Sequence, residues 1–287
     1  MNLSILYRGP LSSCNYACDY CPFAKHSETS AELEVDRLAL ERFTSWVVQR
    51  THDQIGVLVT PWGEALVRWW YQDFLAQLTQ LPHVVKAAIQ TNLSCKLDWV
   101  ERCDKRKLAL WCTFHPNEVT RERFLAKCFE LIDRQVRFSV GVVGLKEHAD
   151  EIAAIRSELP PSIYVWINAY KREREYYDSA MIDRFTTIDP LFPLNNTYHP
   201  SKGDSCRAGA SVVTVDGNGD VRRCHFIKDV IGNIYDGEFE RSLQERECTN
   251  ATCGCHIGYV HLDRLKLYET FGDGVLERIP IRASVEA

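Results

Sequence analysis

Short runs of β-branched and aliphatic residues alternate along this chain with longer stretches whose apolar positions recur every three or four residues. The short runs predict strands over Leu3 to Tyr7, Ile55 to Thr60, Val84 to Thr91, Leu108 to Phe114, Val136 to Val142 and Ile163 to Asn168. The longer stretches predict amphipathic helices over Leu33 to Gln49, Leu66 to Leu81 and Thr120 to Asp133. Strands alternating with helices build βαβ units on a parallel sheet, so an α/β fold is expected. Later, Ala210 to Arg223 carries two short alternating runs around a Gly/Asn/Asp turn, the pattern of a β-hairpin, and a helix is predicted near Phe239 to Gln244. The Pro-rich segment Asp189 to Asn196 reads as a boundary, because proline breaks helices and cannot donate to a central strand. It divides the chain into residues 1–190, a linker at 191–205 and a smaller C-terminal domain at 206–287. No internal repeat or low-complexity tract interrupts this pattern.

Composition narrows the function classes. With 287 residues, 45% hydrophobic and 25% charged, the chain has the make-up of an ordinary globular protein. A net charge of -5 gives no basic footprint for nucleic acid. No apolar run reaches the ~20 residues that span a bilayer. The short apolar start runs straight into Gly9-Pro10, which is not a signal-peptide pattern, so a cytoplasmic location is expected. The 12 cysteines then point to metal ligation in a reducing interior and not to a disulfide framework.

Cys14, Cys18 and Cys21 stand in the run Cys14-Asn15-Tyr16-Ala17-Cys18-Asp19-Tyr20-Cys21. Soft thiolates suit iron-sulfur clusters, and a [4Fe-4S] cubane takes one protein anchor per iron, so three anchors leave one iron open to a ligand. A structural zinc site closed by a fourth ligand such as His26 is the alternative.

The Cys-x3-Cys-x2-Cys spacing, with Tyr20 just before the third cysteine, resembles the radical S-adenosylmethionine enzymes. The resemblance implies an open, partial (β/α)6 TIM-like barrel with the triplet on the loop after the first strand. It also implies S-adenosylmethionine (AdoMet) chelated by the open iron and cleaved by one electron, from a donor such as flavodoxin or ferredoxin, to a 5'-deoxyadenosyl radical. Three further segments resemble the family's cofactor-binding motifs. Thr60-Pro61-Trp62-Gly63-Glu64-Ala65 stands for Gly-Gly-Glu-Pro, with Trp62, Gly63 and Glu64 toward the methionyl amino group; Pro61-Trp62 and Ala65 depart from the pattern. Thr91 and Asn92 match a segment near the ribose or carboxylate. Gly141, Val142 and Gly144 match the adenine stretch, one residue short in its first spacing. Without the resemblance, these segments read as a strand-to-helix turn, a turn asparagine and a tight glycine turn.

Cys206, Cys224, Cys248, Cys253 and Cys255 lie in the second half, with the predicted hairpin between the first two. This arrangement resembles the Twitch domain, the shortened SPASM extension, which holds one auxiliary [4Fe-4S] cluster. Cys206, Cys224, Cys253 and Cys255 are the preferred ligands, with Cys248 the fifth claimant; a zinc ribbon is the alternative. Cys95, Cys103, Cys112 and Cys128 read as small buried hydrophobes.

Polar residues at the ends of later strands, His115, Asn168, Tyr170 and Lys171, are candidate catalytic or substrate contacts, with a solvated charge run the alternative for Lys171 and Arg172; Tyr7 and Arg8, before the cysteine loop, have similar standing. The expected activity is hydrogen-atom abstraction from a small molecule or a short peptide. One outcome is oxidation or bond formation, with the auxiliary cluster taking the second electron; the other is epimerisation completed by a hydrogen donor. A peptide maturase is a further alternative, although no segment resembles a leader-peptide-binding domain. A non-catalytic iron-sulfur or zinc protein is the alternative from another class.

Overall fold

The computed structural model describes residues 1–23 and 26–281; the end of the expected C-terminal domain, 282–287, lies outside them. In chain order the elements are β1 (Asn2–Arg8), α1 (Ser30–Gln49), β2 (Gln54–Val59), α2 (Trp69–Gln80), β3 (Val84–Thr91), β4 (Leu108–Phe114), α3 (Arg121–Asp133), β5 (Arg137–Val143), α4 (Ala149–Glu158) and β6 (Val165–Asn168). Then come α5 (Ser179–Ile188), α6 (Phe192–Asn195), β7 (His199–Pro200), β8 (Val212–Asp216), β9 (Asp220–Arg222), β10 (Val230–Asn233), β11 (Thr252–Cys253), α7 (His256–Tyr259) and α8 (Leu267–Phe271).

Nine strands form one sheet in the order β10-β9-β8-β1-β2-β3-β4-β5-β6. From β1 to β6 each strand pairs in parallel with the next, which is the open, partial α/β barrel. Its period-two alternation sorts side chains. Ile5, Tyr7, Val57, Val59, Ile89, Cys112 and Val140 pack outward against Phe43, Phe74, Leu75, Phe124 and Ile152 of the helices. Leu6, Leu58, Ala88, Ala109, Trp111 and Trp166 face the lumen. Helix α1 starts at a capping box, in which Thr29 and Glu32 bond each other's backbone N–H. The buried Asp36 on α1 accepts from Leu11 N at 3.1 Å, Trp70 Nε1 at 2.8 Å and the Tyr71 hydroxyl at 2.8 Å. That carboxylate ties the start of the cysteine loop to two helices.

The hairpin read from Ala210 to Arg223 is present as β8 and β9, but β8 pairs in parallel with β1, Ser4 opposite Val212 through Arg8 opposite Asp216. The predicted C-terminal hairpin therefore extends the barrel sheet. The helix predicted near Phe239 is a single 3-10 turn, Phe239–Ser242. Within the Pro-rich boundary, Asp189 is buried and Pro193 falls at the start of the short helix α6.

Residues 275–279 close the lumen from below. Leu276 joins the inward cluster, and the Ser139 hydroxyl donates to the Glu277 carbonyl at 2.7 Å. The fully buried Glu277 carboxylate takes Lys86 Nζ at 2.6 Å and Arg137 Nε at 3.1 Å, near the N-terminal ends of β3 and β5. Removing one partner from a buried pair leaves an uncompensated charge, so Glu277→Gln should cost about 3 kcal/mol, read as a lower urea midpoint at unchanged m-value.

Candidate active site

The loop after β1 carries Cys14, Cys18 and Cys21 to the C-terminal face of the sheet, where loops after β2, β3, β4, β5 and β6 converge on one cavity of about 340 Å³. All three cysteines line it, with Trp62, Gly63, Glu64, Thr91, Asn92, His115 and Asn168. The site is therefore assembled from six separate strand ends.

Each thiol has a local support. The Tyr16 N–H donates to Cys14 Sγ at 3.4 Å, and the Phe23 N–H to Cys21 Sγ at 3.4 Å. Cys18 Sγ lies 3.3 Å from His115 Nδ1, which also sits 2.7 Å from the Tyr20 hydroxyl. Burial pushes the His115 pKa down to about 4, which keeps the imidazole neutral and its Nδ1 able to accept. His115 thus braces the cysteine loop from the end of β4.

The donor set fits an iron-sulfur cluster. Burial raises the Cys14 thiol and pushes Cys18 up to about 11, so a bound metal would have to supply the charge that makes them thiolates. Backbone N–H groups already point at two of the sulfurs, a feature that tunes such clusters. Among the described residues no three His, Cys, Asp or Glu side chains converge as a single ion would require.

Glu64 organises the neighbouring segments. Its carboxylate is buried, which pushes its pKa up to about 7. It accepts from the Leu66 N–H at 3.0 Å, the Thr91 hydroxyl at 2.8 Å and the Asn92 N–H at 2.5 Å. The Glu64 N–H donates to the Ser13 carbonyl at 3.2 Å, and Asn92 Nδ2 reaches Asn15 Oδ1 at 3.0 Å. The Gly63-Glu64 and Thr91-Asn92 segments are in this way bonded to the cysteine loop and to each other. A Cβ on Gly63 would overlap the Ser13 carbonyl, so only glycine allows this approach.

Other expected contacts lie elsewhere. Tyr20 faces His115. Gly141 is filled by the Trp166 ring and Val142 packs outward, leaving Val143 as the β5 residue at the cavity. The Gly144 carbonyl accepts from the Tyr177 hydroxyl, and Tyr170 packs on the Tyr176 ring. The sequence reading missed Tyr16, Trp111, Thr113, Trp166, Phe226, His256 and Arg278, all of which line the cavity. Trp111 and Thr113 had a signal, since both lie on the lumen side of the β4 alternation.

Of the five later cysteines, Cys206, Cys224, Cys248 and Cys253 stand within electrostatic reach of one another. Arg223 donates to the carbonyls of Arg246 and Glu247, holding the Cys248 segment beside Cys224. Cys255 couples to Cys253, but its thiol opens into the barrel cavity near Arg8, Lys171 and Arg278.

No protein-family model matches the sequence, and no curated protein matches it. Solved structures share the fold. Native anSMEcpe with bound AdoMet superposes at a TM-score of 0.56 and 15% identity, over 83% of this chain and 80% of that one. The same protein with bound AdoMet and Cp18Cys peptide also gives 0.56, at 13% identity, over 83% and 79%. SuiB of Streptococcus suis bound to S-adenosylmethionine gives 0.53 at 14%, over 86% of this chain and 63% of that one. At these identities the likeness is one of fold, the partial barrel itself. Among the described residues no helix is long and apolar enough to cross a membrane.

Proposed function

We propose that this chain is a radical AdoMet enzyme with one auxiliary iron-sulfur cluster, acting on a small molecule or a short peptide. The observation that carries the reading is the convergence of Cys14, Cys18 and Cys21 with Gly63-Glu64 and Thr91-Asn92 on one cavity, in a barrel shared with AdoMet-bound structures. When bound, the cluster and AdoMet would supply one-electron cleavage of the sulfonium and a carbon-centred hydrogen abstractor. The three cysteines would hold the cluster; Trp62, Gly63 and Asn92 would border the cofactor, and Glu64 holds the Asn92 N–H with its carboxylate and the Ser13 carbonyl with its own N–H. Trp111, Trp166 and Phe226 wall off water from the lumen side. The peptide held by one structural neighbour supports the inclusion of a peptide in the substrate class.

For the auxiliary cluster, the grouping of thiols favours Cys206, Cys224, Cys248 and Cys253 as ligands, with Cys255 outside the set. Anaerobically reconstituted wild type should hold about eight irons per chain, four for each cluster. Cys248→Ala should lower this to about four, whereas Cys255→Ala should leave it near eight; the reverse pattern restores Cys255 as the ligand. An open cavity thiol at Cys255 also favours the epimerase alternative, in which a thiol returns a hydrogen atom to the substrate carbon. Solvent deuterium in a product of unchanged oxidation state separates that outcome from oxidation. The overall reading is tested by 5'-deoxyadenosine release under dithionite. Stoichiometric zinc, no inorganic sulfide and no deoxyadenosine would overturn it.

A further inference from the structure

Arg278 is only 1% exposed and belongs to the segment that closes the lumen. Among the described residues it has no carboxylate partner at ion-pair distance, and its Nε has no hydrogen-bond acceptor. Glu277, its neighbour in sequence, faces the opposite way to Lys86 and Arg137. Asp189, the acid whose charge Arg278 feels, is already taken by the Tyr164 hydroxyl and the N–H groups of Ile167 and Leu191. What the guanidinium does meet is aromatic: it lies 4.3 Å over the Trp166 ring and 5.7 Å from that of Trp111.

The backbone supports a role beyond packing. Arg278 sits at φ 56°, in the left-handed region that costs a side-chain-bearing residue energy. The chain accepts that strain and turns an unpaired cation toward the cavity, whose wall Arg278 lines. Two further cations stand near it. Arg8 borders the same cavity and, among the described residues, lacks an acid partner; its Nε donates to the Thr60 carbonyl at 2.7 Å. Lys171, which bonds the Gly254 carbonyl at 2.5 Å, acts on Cys255 from the same side. The cavity's carboxylate, Glu64, already accepts from three donors.

A buried arginine is stable when something compensates it, and the planar fork of the guanidinium matches the two oxygens of a carboxylate or phosphate. We propose that Arg278 is the binding residue for an oxyanion carried by the substrate, a carboxylate or a phosphate on an otherwise apolar body that lies between Trp111, Trp166 and Phe226. This rests on the cavity being the substrate site of the function proposed above.

The test uses holoprotein reconstituted under anaerobic conditions and three probes that share a phenyl ring: phenylacetate, phenyl phosphate and the neutral phenylacetamide. Binding is followed by Trp fluorescence, because Trp111 and Trp166 flank the guanidinium. At least one anion should bind wild type tenfold or more tighter than the amide, and which anion does so tells carboxylate from phosphate. Arg278→Gln should reduce that preference to less than threefold, with Arg278→Lys in between because it keeps the charge and loses the fork. Equal binding of amide and anions to wild type, no binding of any probe, or an anion preference that survives Arg278→Gln would each overturn the proposal. Survival of the preference together with a changed cluster spectrum would mean that Arg278 only balances cluster charge. Wild-type selectivity for an anion without deoxyadenosine release would sink the enzymatic reading and leave Arg278 as the anion-binding residue of a non-catalytic pocket.

Discussion

Cys18→Ala should abolish 5'-deoxyadenosine formation, by more than about a thousandfold, while the circular dichroism of the sheet and helices stays that of wild type. A cubane with one protein anchor missing loses an iron site or is not assembled, and thiolate is the only soft donor this loop offers. Cys18 is the most enclosed of the three, at 6% exposure, and is the one beside His115. Alanine removes a single small sulfur from that position, so the Tyr20–His115 contact and the barrel persist. The cysteines grouped around Cys224 lie on other segments and should keep their iron, so metal content should fall from about eight to about four per chain. Full iron content with undiminished cleavage in this variant would remove the triplet from the mechanism.

The second large effect is expected at Gly63. Its missing side chain lets the segment after β2 lie against the Ser13 carbonyl, one residue before Cys14. In Gly63→Ala the new methyl meets the Ser13–Cys14 backbone, which cannot swing away as a side-chain tip would. The Glu64 N–H to Ser13 carbonyl bond must break, and the loop that presents Cys14 must move. Overpacking of this kind costs about 1–3 kcal/mol. The functional loss should be greater, because cluster and cofactor geometry tolerate displacements of only a fraction of an ångström. Deoxyadenosine formation should fall at least a hundredfold, with the auxiliary iron retained. Gly237→Ala is the control: nothing lies within 4 Å of a Cβ there, so its activity should match wild type.

Much of the barrel was legible in the chain. Central parallel strands are buried on both faces and so read as near-continuous apolar runs; β3 and β4 fall on their predicted bounds, and β1, β2 and β5 differ by a residue or two. The end of β6 was found, but its start was placed two residues early, at Ile163, where the chain is still in a turn. The hairpin β8–β9 announced itself through its turn residues, yet its attachment to β1 did not, because pairing between distant strands leaves no local mark. The cysteine triplet could be read as a unit since its members are close in sequence. The later cysteines could not, because spacing does not say where the chain bends. Cys253 ends β11 and Cys255 caps α7, so two neighbouring cysteines belong to different elements, and the choice between Cys248 and Cys255 as ligand has no mark in the spacing. Arg278 lay beyond any motif, being brought to the cavity wall by the fold alone.

The way residues 275–279 seat beneath the strands has a consequence for assembly inside a cell. The loop of Cys14, Cys18 and Cys21 is translated well ahead of residues 275–279, the plug that bottoms the barrel. Until it docks, the floor of the open barrel is uncovered, and Lys86 and Arg137 have no counter-charge from Glu277. Delivery of iron and sulfide during translation would therefore meet a wetter, looser vessel than delivery after release.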